Sequence, residues 1–231
     1  MSMSEWDAWL AGSLSSLRAR ALFRSLTPVT PSLSAVHASW GDSSPVCLFS
    51  LNDYLGLSTH PSVREAYEIA GRRWGAGPRS SALVGGYTVH HAELESGLAA
   101  LKHAETALLF PTGYAANVSV MAALAGSSRE DAASSSLTVL SDELNHASIV
   151  DGLRLASRSG ATVRVYRHND MADLERLLRE APAKGRRLVV ADALFSMDGD
   201  FADLEGLARL KAKHGFLLAL DDAHGTLACG E

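Results

Sequence analysis

With 231 residues and 47% hydrophobic side chains, the chain carries enough apolar material for one substantial core, as one large domain or two small ones. A net charge of −5 leaves no basic field for nucleic acid, and no apolar run approaches the ~20 residues that would cross a membrane. The two cysteines, Cys47 and Cys229, lack metal-type spacing and suit the reduced thiols of an intracellular, cytoplasmic protein.

Trp6, Trp9, Leu10, Leu14 and Leu17 recur at helical spacing, with Arg18, Arg20 and Arg24 following. Glu5 and Asp7 argue against a transit peptide, which is poor in acids, so the stripe is expected to be the packed face of a helix. Residues 27–46, rich in Ser, Thr, Pro and Gly, are expected to form an irregular connector. An N-terminal helix and arm over 1–48 then precede a larger domain over 49–231. Phe49–Leu57 suggests a short strand breaking into a turn, and Pro61–Trp74 a helix with proline in its first turn. Gly75–Gly86 holds four glycines but follows a helix and does not match G-x-G-x-x-G. It is expected to be a loop of close backbone approach rather than a dinucleotide fingerprint. A helix resumes at His90, with Leu94, Leu98 and Leu101 on one face.

Beyond this point strands and helices alternate. Ala107–Phe110, Leu137–Leu140, Thr162–Tyr166, Leu188–Ala191 and Phe216–Leu220 are strand candidates. Helices are expected over Tyr114–Ala125, Ala147–Ser157, Met171–Glu180 and Leu204–His214. The pattern predicts an α/β fold with a mostly parallel sheet flanked by helices. The serine run Ser134–Ser136 is expected to be a flexible loop.

Chemistry-bearing residues gather at the predicted strand ends. Phe216–Leu220 looks like a strand buried on both faces that delivers Asp221 and, three residues later, His224 to the crevice where α/β sheets bind ligands. A capped helix start with a solvated turn is the alternative. Pro111-Thr112-Gly113-Tyr114 opens a helix whose free N–H groups and dipole suit a phosphate, and a tight turn remains open there. His146 and Ser196 follow two other strands. His90-His91 with Glu93 is not H-E-x-x-H, and Ser196 lacks the G-x-S-x-G elbow, so zinc hydrolysis and serine hydrolysis have no support.

Read together, these segments resemble the α-oxoamine synthases. The matching stretches are Asn52-Asp53-Tyr54-Leu55-Gly56-Leu57, Gly85-Gly86-Tyr87 with His90, Pro111-Thr112-Gly113-Tyr114-Ala115-Ala116-Asn117 and Asn145-His146-Ala147-Ser148. They continue with His168-Asn169-Asp170, Phe195-Ser196-Met197-Asp198-Gly199-Asp200 and Asp221-Asp222-Ala223-His224-Gly225, in order over residues 50–231. Gly77-Pro78-Arg79-Ser80-Ser81-Ala82-Leu83 is similar to the plant-type members of the branch that condenses L-alanine with pimeloyl-CoA.

The resemblance implies the large domain of the PLP-dependent transferase fold type I, a homodimer, and pyridoxal 5′-phosphate as cofactor. It implies that Gly113 and Tyr114 bind the phosphate through backbone N–H groups and that His146 stacks on the ring. It pairs Asp221 with the ring nitrogen, sets His224 and Ser196 around the phenolic oxygen, and gives Arg24 to the substrate. The family's cofactor-bonding lysine follows the Asp-Asp-Ala-His motif. Lys211 and Lys213 lie upstream of that motif, so the chain is expected to be truncated before the lysine and to lack the C-terminal small domain. Another α-oxoamine synthase (the glycine C-acetyltransferase or 5-aminolevulinate synthase type), a non-catalytic short isoform and a generic phosphate-binding module are the alternatives.

Overall fold

The structure is a computed structural model that describes residues 4–32, 34–40, 44–125, 136–182 and 184–229. The chain divides into two compact units, Met1–Gly75 and Ala76–Glu231.

In the first unit, α1 (Glu5–Ala19) starts at a capping box in which Ser4 and Asp7 satisfy each other's backbone N–H groups. The apolar stripe is not a packed face: α1 has no buried residue, and Trp6 is 72% exposed. Residues 27–46 also depart from expectation. Instead of an irregular connector they contribute to a three-stranded antiparallel sheet of β1 (Val29–Pro31), β2 (His37–Trp40) and β3 (Pro45–Cys47). Side chains close the first connection: the Ser32 hydroxyl donates to the His37 carbonyl at 2.7 Å, and Ser34 Oγ meets His37 Nδ1 at 2.8 Å. Serine-rich composition therefore marks turn chemistry here, not the lack of a sheet. Phe49–Leu57 is not a strand. Asp53 accepts hydrogen bonds from the Ser58 amide and hydroxyl, and Gly56 takes φ +63°, which winds the segment into a 3₁₀ turn over Leu57–Thr59. Helix α2 (Pro61–Trp74) has the expected bounds and is capped by the His60 side chain, which accepts from the Ser62 N–H.

The second unit contains α3 (Val89–Leu101), α4 (Gly113–Ala125), β4 (Leu137–Asp142), α5 (Ala147–Arg158), β5 (Thr162–Tyr166), α6 (Met171–Glu180), β6 (Arg186–Asp192), α7 (Leu204–His214) and β7 (Leu217–Asp221). The glycine-rich segment closes on a π-turn at Ala82–Gly86. A Cβ on Gly86 would fall 1.8 Å from the Ser80 carbonyl oxygen, so the chain passes itself there at a distance only glycine allows. Ala107–Phe110 is extended but pairs with no strand among the described residues; the Leu109 N–H goes instead to Glu95 Oε1 at 2.8 Å. Of the expected loop at Ser134–Ser136, residues 134 and 135 lie outside the described residues.

Strands β5-β4-β6-β7 form a parallel sheet in that order. Alternation along the strands splits the core into two layers. Val139, Leu188 and Val190 pack with Met121 of α4 and with Ile149 and Leu153 of α5. Leu140, Val189 and Ala191 pack on the other side with Leu174 and Leu178 of α6 and with Leu207 and Leu210 of α7. Strand β7 is not buried on both faces: Leu217 is 53% exposed and Leu220 42%, as befits the end strand of this sheet. Strand order reverses between β4, which leads outward to β5, and β6, which leads outward to β7. Such a switch point opens a crevice at the carboxyl ends of the strands.

Candidate active site

Three apolar runs end in an acid at one edge of the sheet: β4 in Asp142, β6 in Asp192 and β7 in Asp221. Because the strands are parallel, all three acids lie at the same end of the sheet; alternation turns Asp192 and Asp221 to one face and Asp142 to the other. Asp192 and Asp221 are register partners on neighbouring strands, and the Ala193 N–H donates to the Asp221 carbonyl at 2.7 Å just beyond the ladder.

Helix α4 points its N-terminus at this edge. Thr112 caps it, its hydroxyl oxygen accepting from the Ala115 N–H at 3.0 Å. The N–H groups of Gly113 and Tyr114, at the start of the helix, have no partner within it. A Cβ placed on Gly113 would meet nothing within 4 Å, so the side-chain position there is open. The Tyr114 phenol is engaged elsewhere, donating to Asp151 on α5.

One turn along α4, the Asn117 side-chain amide donates to Asp221 Oδ2 at 2.7 Å and to Ser148 Oγ at 2.9 Å. Ser148 Oγ lies 2.6 Å from Nδ1 of His146, the residue that caps α5. The Ser148 N–H donates to the same Nδ1 at 3.3 Å, so this nitrogen is an acceptor, the Ser148 hydroxyl proton goes to it, and Nε2 carries the proton in the neutral ring. The second Asp221 oxygen accepts the Ala223 N–H at 3.1 Å. His146, Ser148, Asn117 and Asp221 thus form one hydrogen-bonded chain across two helices and the end of β7.

Asp192 sits in the switch-point crevice, 5% exposed. Burial pushes its carboxyl pKa up to about 6. A hydrogen bond from the His146 N–H pulls it down, as do His146 and His224 when their rings are protonated, while the charge of Asp221 raises it further. The same helix start and strand ends therefore bring His146, Asp221 and His224 within electrostatic reach of Asp192. Ser196 lies on the exposed tip of the turn after β6, which the Phe195 N–H to Asp200 carbonyl bond closes at 2.9 Å. Arg24, in the first unit, is exposed and donates to the Ala21 carbonyl at 3.0 Å.

A second polar cluster braces the far side of this edge. His168 contacts Asp142 through Nδ1 and Asp200 through Nε2, each at 2.9 Å, and its ring meets Phe195 edge-on at 4.4 Å. Bridging two carboxylates requires both ring nitrogens to donate. Burial lowers its pKa, but the two carboxylates outweigh burial and raise it above the ordinary value. Beyond β7, Lys102 at the end of α3 binds Asp222 at 2.8 Å, beside a cavity of about 540 Å³ lined by Leu101, Leu194, Phe201 and Leu227.

The model of aminotransferase class I and II matches residues 44–231. The chain belongs to that family. Its relatives include an 8-amino-7-oxononanoate synthase from Arabidopsis thaliana, 50% identical over 198 residues, which cover 83% of this chain and 41% of the relative. Another from Geobacter sulfurreducens is 47% identical over 222 residues, 96% of this chain and 54% of the relative. Among solved structures, a Sphingomonas wittichii serine palmitoyltransferase aligns with TM-score 0.77 at 27% identity, over 94% of this chain and 51% of that one. A serine palmitoyltransferase from S. paucimobilis with bound PLP–myriocin aldimine gives 0.78 at 27% identity, over 92% and 50%. The chain spans about half the length of the curated relatives it matches. The family's parallel sheet with helices on both faces is the large-domain architecture of the PLP-dependent transferase fold type I.

Asn117, Ser148 and Asp192 had no role in the sequence-based assignment. Asn117 and Ser148 lie inside segments that the resemblance already covered, but nothing in their spacing says that they meet. Asp192 carried a legible signal: it closes an apolar run just as Asp221 does.

Proposed function

We infer that this chain is part of a pyridoxal-phosphate-dependent acyltransferase that condenses L-alanine with pimeloyl-CoA to 8-amino-7-oxononanoate, CoA and carbon dioxide, a reaction of biotin synthesis. The residues present fit the cofactor. Open space at the Gly113 Cβ position and the first-turn N–H groups of α4 suit its phosphate. Asn117 is four residues further along the helix, a rise of about 6 Å, and it holds the Asp221 carboxylate at a spacing that one phosphomethyl-substituted ring covers.

The observation that carries this reading is Asp221 itself. Its carboxylate ends a strand at the crevice and is oriented by two neutral donors, so it is ready to pair with a protonated ring nitrogen. When bound, the cofactor supplies an electron-withdrawing ring that stabilises negative charge at the amino-acid Cα. Gly113 and Tyr114 would hold its phosphate, His146, with its tautomer set by Ser148, would lie against the ring, and Asp221 would keep the ring nitrogen protonated. His224 and Ser196 would flank the phenolic oxygen, and Arg24 would serve the substrate. At the substrate, the Cα–H bond would break with its proton passing to a lysine base, and Cα would attack the thioester carbonyl. The sulfur would leave with a proton as the CoA thiol, the carboxylate would depart as carbon dioxide, and Cα would then take a proton back. The covalent lysine is assigned to the region that follows the Asp221–Gly225 motif. A cytoplasmic homodimer completes the proposal; no described helix is long and apolar enough to cross a membrane.

Identity of 50% to the Arabidopsis synthase, against 27% to the serine palmitoyltransferases, supports the alanine and pimeloyl-CoA pair. The test is a chimaera in which this chain replaces the matched 222 residues of the Geobacter relative. With pyridoxal phosphate, alanine and pimeloyl-CoA it is expected to release CoA, and with Asp221→Asn to lose that activity. CoA release from serine or glycine with another acyl-CoA, and none from alanine with pimeloyl-CoA, overturns the substrate assignment.

A further inference from the structure

We propose that Asp192 is a positioning residue whose carboxyl proton is linked to whatever charge faces Asp221. The proposal rests on the cofactor reading above only for the identity of the cation that arrives there.

The geometry is a reciprocal clamp across the switch point. Asn145, 7% exposed, accepts the Asp192 N–H at 2.9 Å through Oδ1, while its Nδ2 donates to the Val190 carbonyl and to Ser141 Oγ, each at 2.9 Å. In return, Asp192 Oδ1 accepts the His146 N–H at 3.4 Å. Two side chains thereby tie the ends of β4 and β6 together where the ladder has ended, and the tie fixes the start of α5, where His146 caps the helix. Asp192 is also the register partner of Asp221. Two carboxylates on register-paired residues of adjacent strands, one of them buried and raised by the charge of the other, do not both ionise readily, so the buried one holds its proton to a higher pH. The titratable groups acting on Asp192 are Asp221 from β7, His146 from α5 and His224 from the turn after β7. Its midpoint of about 6 puts the change inside the physiological range.

The consequence is a proton linkage. While Asp221 faces solvent, Asp192 is protonated below its midpoint. When a cation docks against Asp221, the repulsion between the carboxylates is relieved, and Asp192 releases its proton to solvent. The O–H bond of the carboxyl breaks, and the negative charge left on Asp192 is balanced by the docked cation. Asp192 then accepts the His146 N–H as a full carboxylate, a stronger hydrogen bond than the neutral acid makes. Filling the site therefore tightens the residue that caps α5.

Carboxyl ¹³C NMR titration of this chain tests the idea without any turnover. Asp192 is expected to titrate near 6, the His146 amide resonance is expected to move with it, and Asp221→Asn is expected to lower the midpoint by about one unit. Asp192→Asn, which keeps a carbonyl acceptor, is expected to retain the parent His146 amide shift, and Asp192→Ala to lose it. An Asp192 midpoint in the ordinary carboxylate range, or one that ignores Asp221→Asn, overturns the proposal. Pyridoxine 5′-phosphate, which has the ring and phosphate without the lysine-reactive aldehyde, is expected to lower the midpoint as Asp221→Asn does. If Asp221→Asn shifts the midpoint and pyridoxine phosphate does not, the coupled pair stands and the cofactor reading fails.

Discussion

Asn117 on α4 and Asp221 at the end of β7 are 104 residues apart in sequence, and their side chains meet at 2.7 Å. The contact joins the first turns of a helix to the acid that terminates a strand, so one amide sets the distance between the two ends of the candidate cofactor site. Asn117→Ala leaves Asp221 with the Ala223 N–H as its donor. A hydrogen bond to a charged group contributes about 1.5–3 kcal/mol, so pyridoxine phosphate affinity is expected to fall roughly tenfold or more. Isothermal titration calorimetry measures it; unchanged affinity would show that Asp221 needs no such support.

Gly152 is where α4 and α5 come closest. A Cβ there would lie 2.9 Å from Met121 Cβ and 3.0 Å from the Asn117 carbonyl oxygen. Gly152→Ala is expected to cost about 1–3 kcal/mol by overpacking and to push Asn117 away from Ser148 and Asp221. Urea denaturation gives the first quantity, and a weaker pyridoxine phosphate complex the second. A stability change without a binding change would separate the helix contact from the site.

His168 pins Asp142, whose side chain is 1% exposed, to Asp200. His168→Ala leaves a buried carboxylate without its cationic partner and is expected to destabilise the chain by about 3 kcal/mol or more. The sign of the pH effect follows from the raised imidazole pKa. The stabilisation is complete below the unfolded value and is lost as pH rises through the higher folded value. The parent's urea midpoint should therefore decline as pH rises above the ordinary imidazole value of 6.5, and that decline should be absent in the variant.

Asp192 has the opposite effect. Its folded pKa of about 6 lies above the ordinary 3.8, so the ionised form is disfavoured by folding. The group costs nothing below the unfolded value, the cost grows as pH rises between the two values, and it is complete above about 6. Asp192→Asn removes the ionisation and is expected to stabilise the chain at pH 7 by up to about 3 kcal/mol. The gain should vanish near pH 4. An equal effect at both pH values would show that ionisation is not its source.

Some elements were legible from pattern alone. Helices α2 and α6 and strand β5 have the bounds that periodicity and capping residues predict, because proline at Pro61 and the amphipathic leucines of α6 act locally. Other segments were misjudged for a common reason. Ala107–Phe110 has strand composition but no strand partner among the described residues, while residues 27–46 have loop composition and pair into a sheet. A strand is defined by a neighbour that composition does not name. The exposed stripe of α1 makes the same point for helices, since amphipathicity states which face seeks cover and not what covers it.

By itself the sequence determined the family, the alternation of strands and helices, and the delivery of His146, Ser196, Asp221 and His224 to strand ends, because these depend on local runs and their terminators. Tertiary structure alone decided that Asn117 reaches Asp221, that Ser148 sets the His146 tautomer, and that Asp192 lies buried beside Asp221 across the switch point. Those relationships arise from strand order and helix approach. They join residues dozens of positions apart, and no local spacing encodes the distance between them.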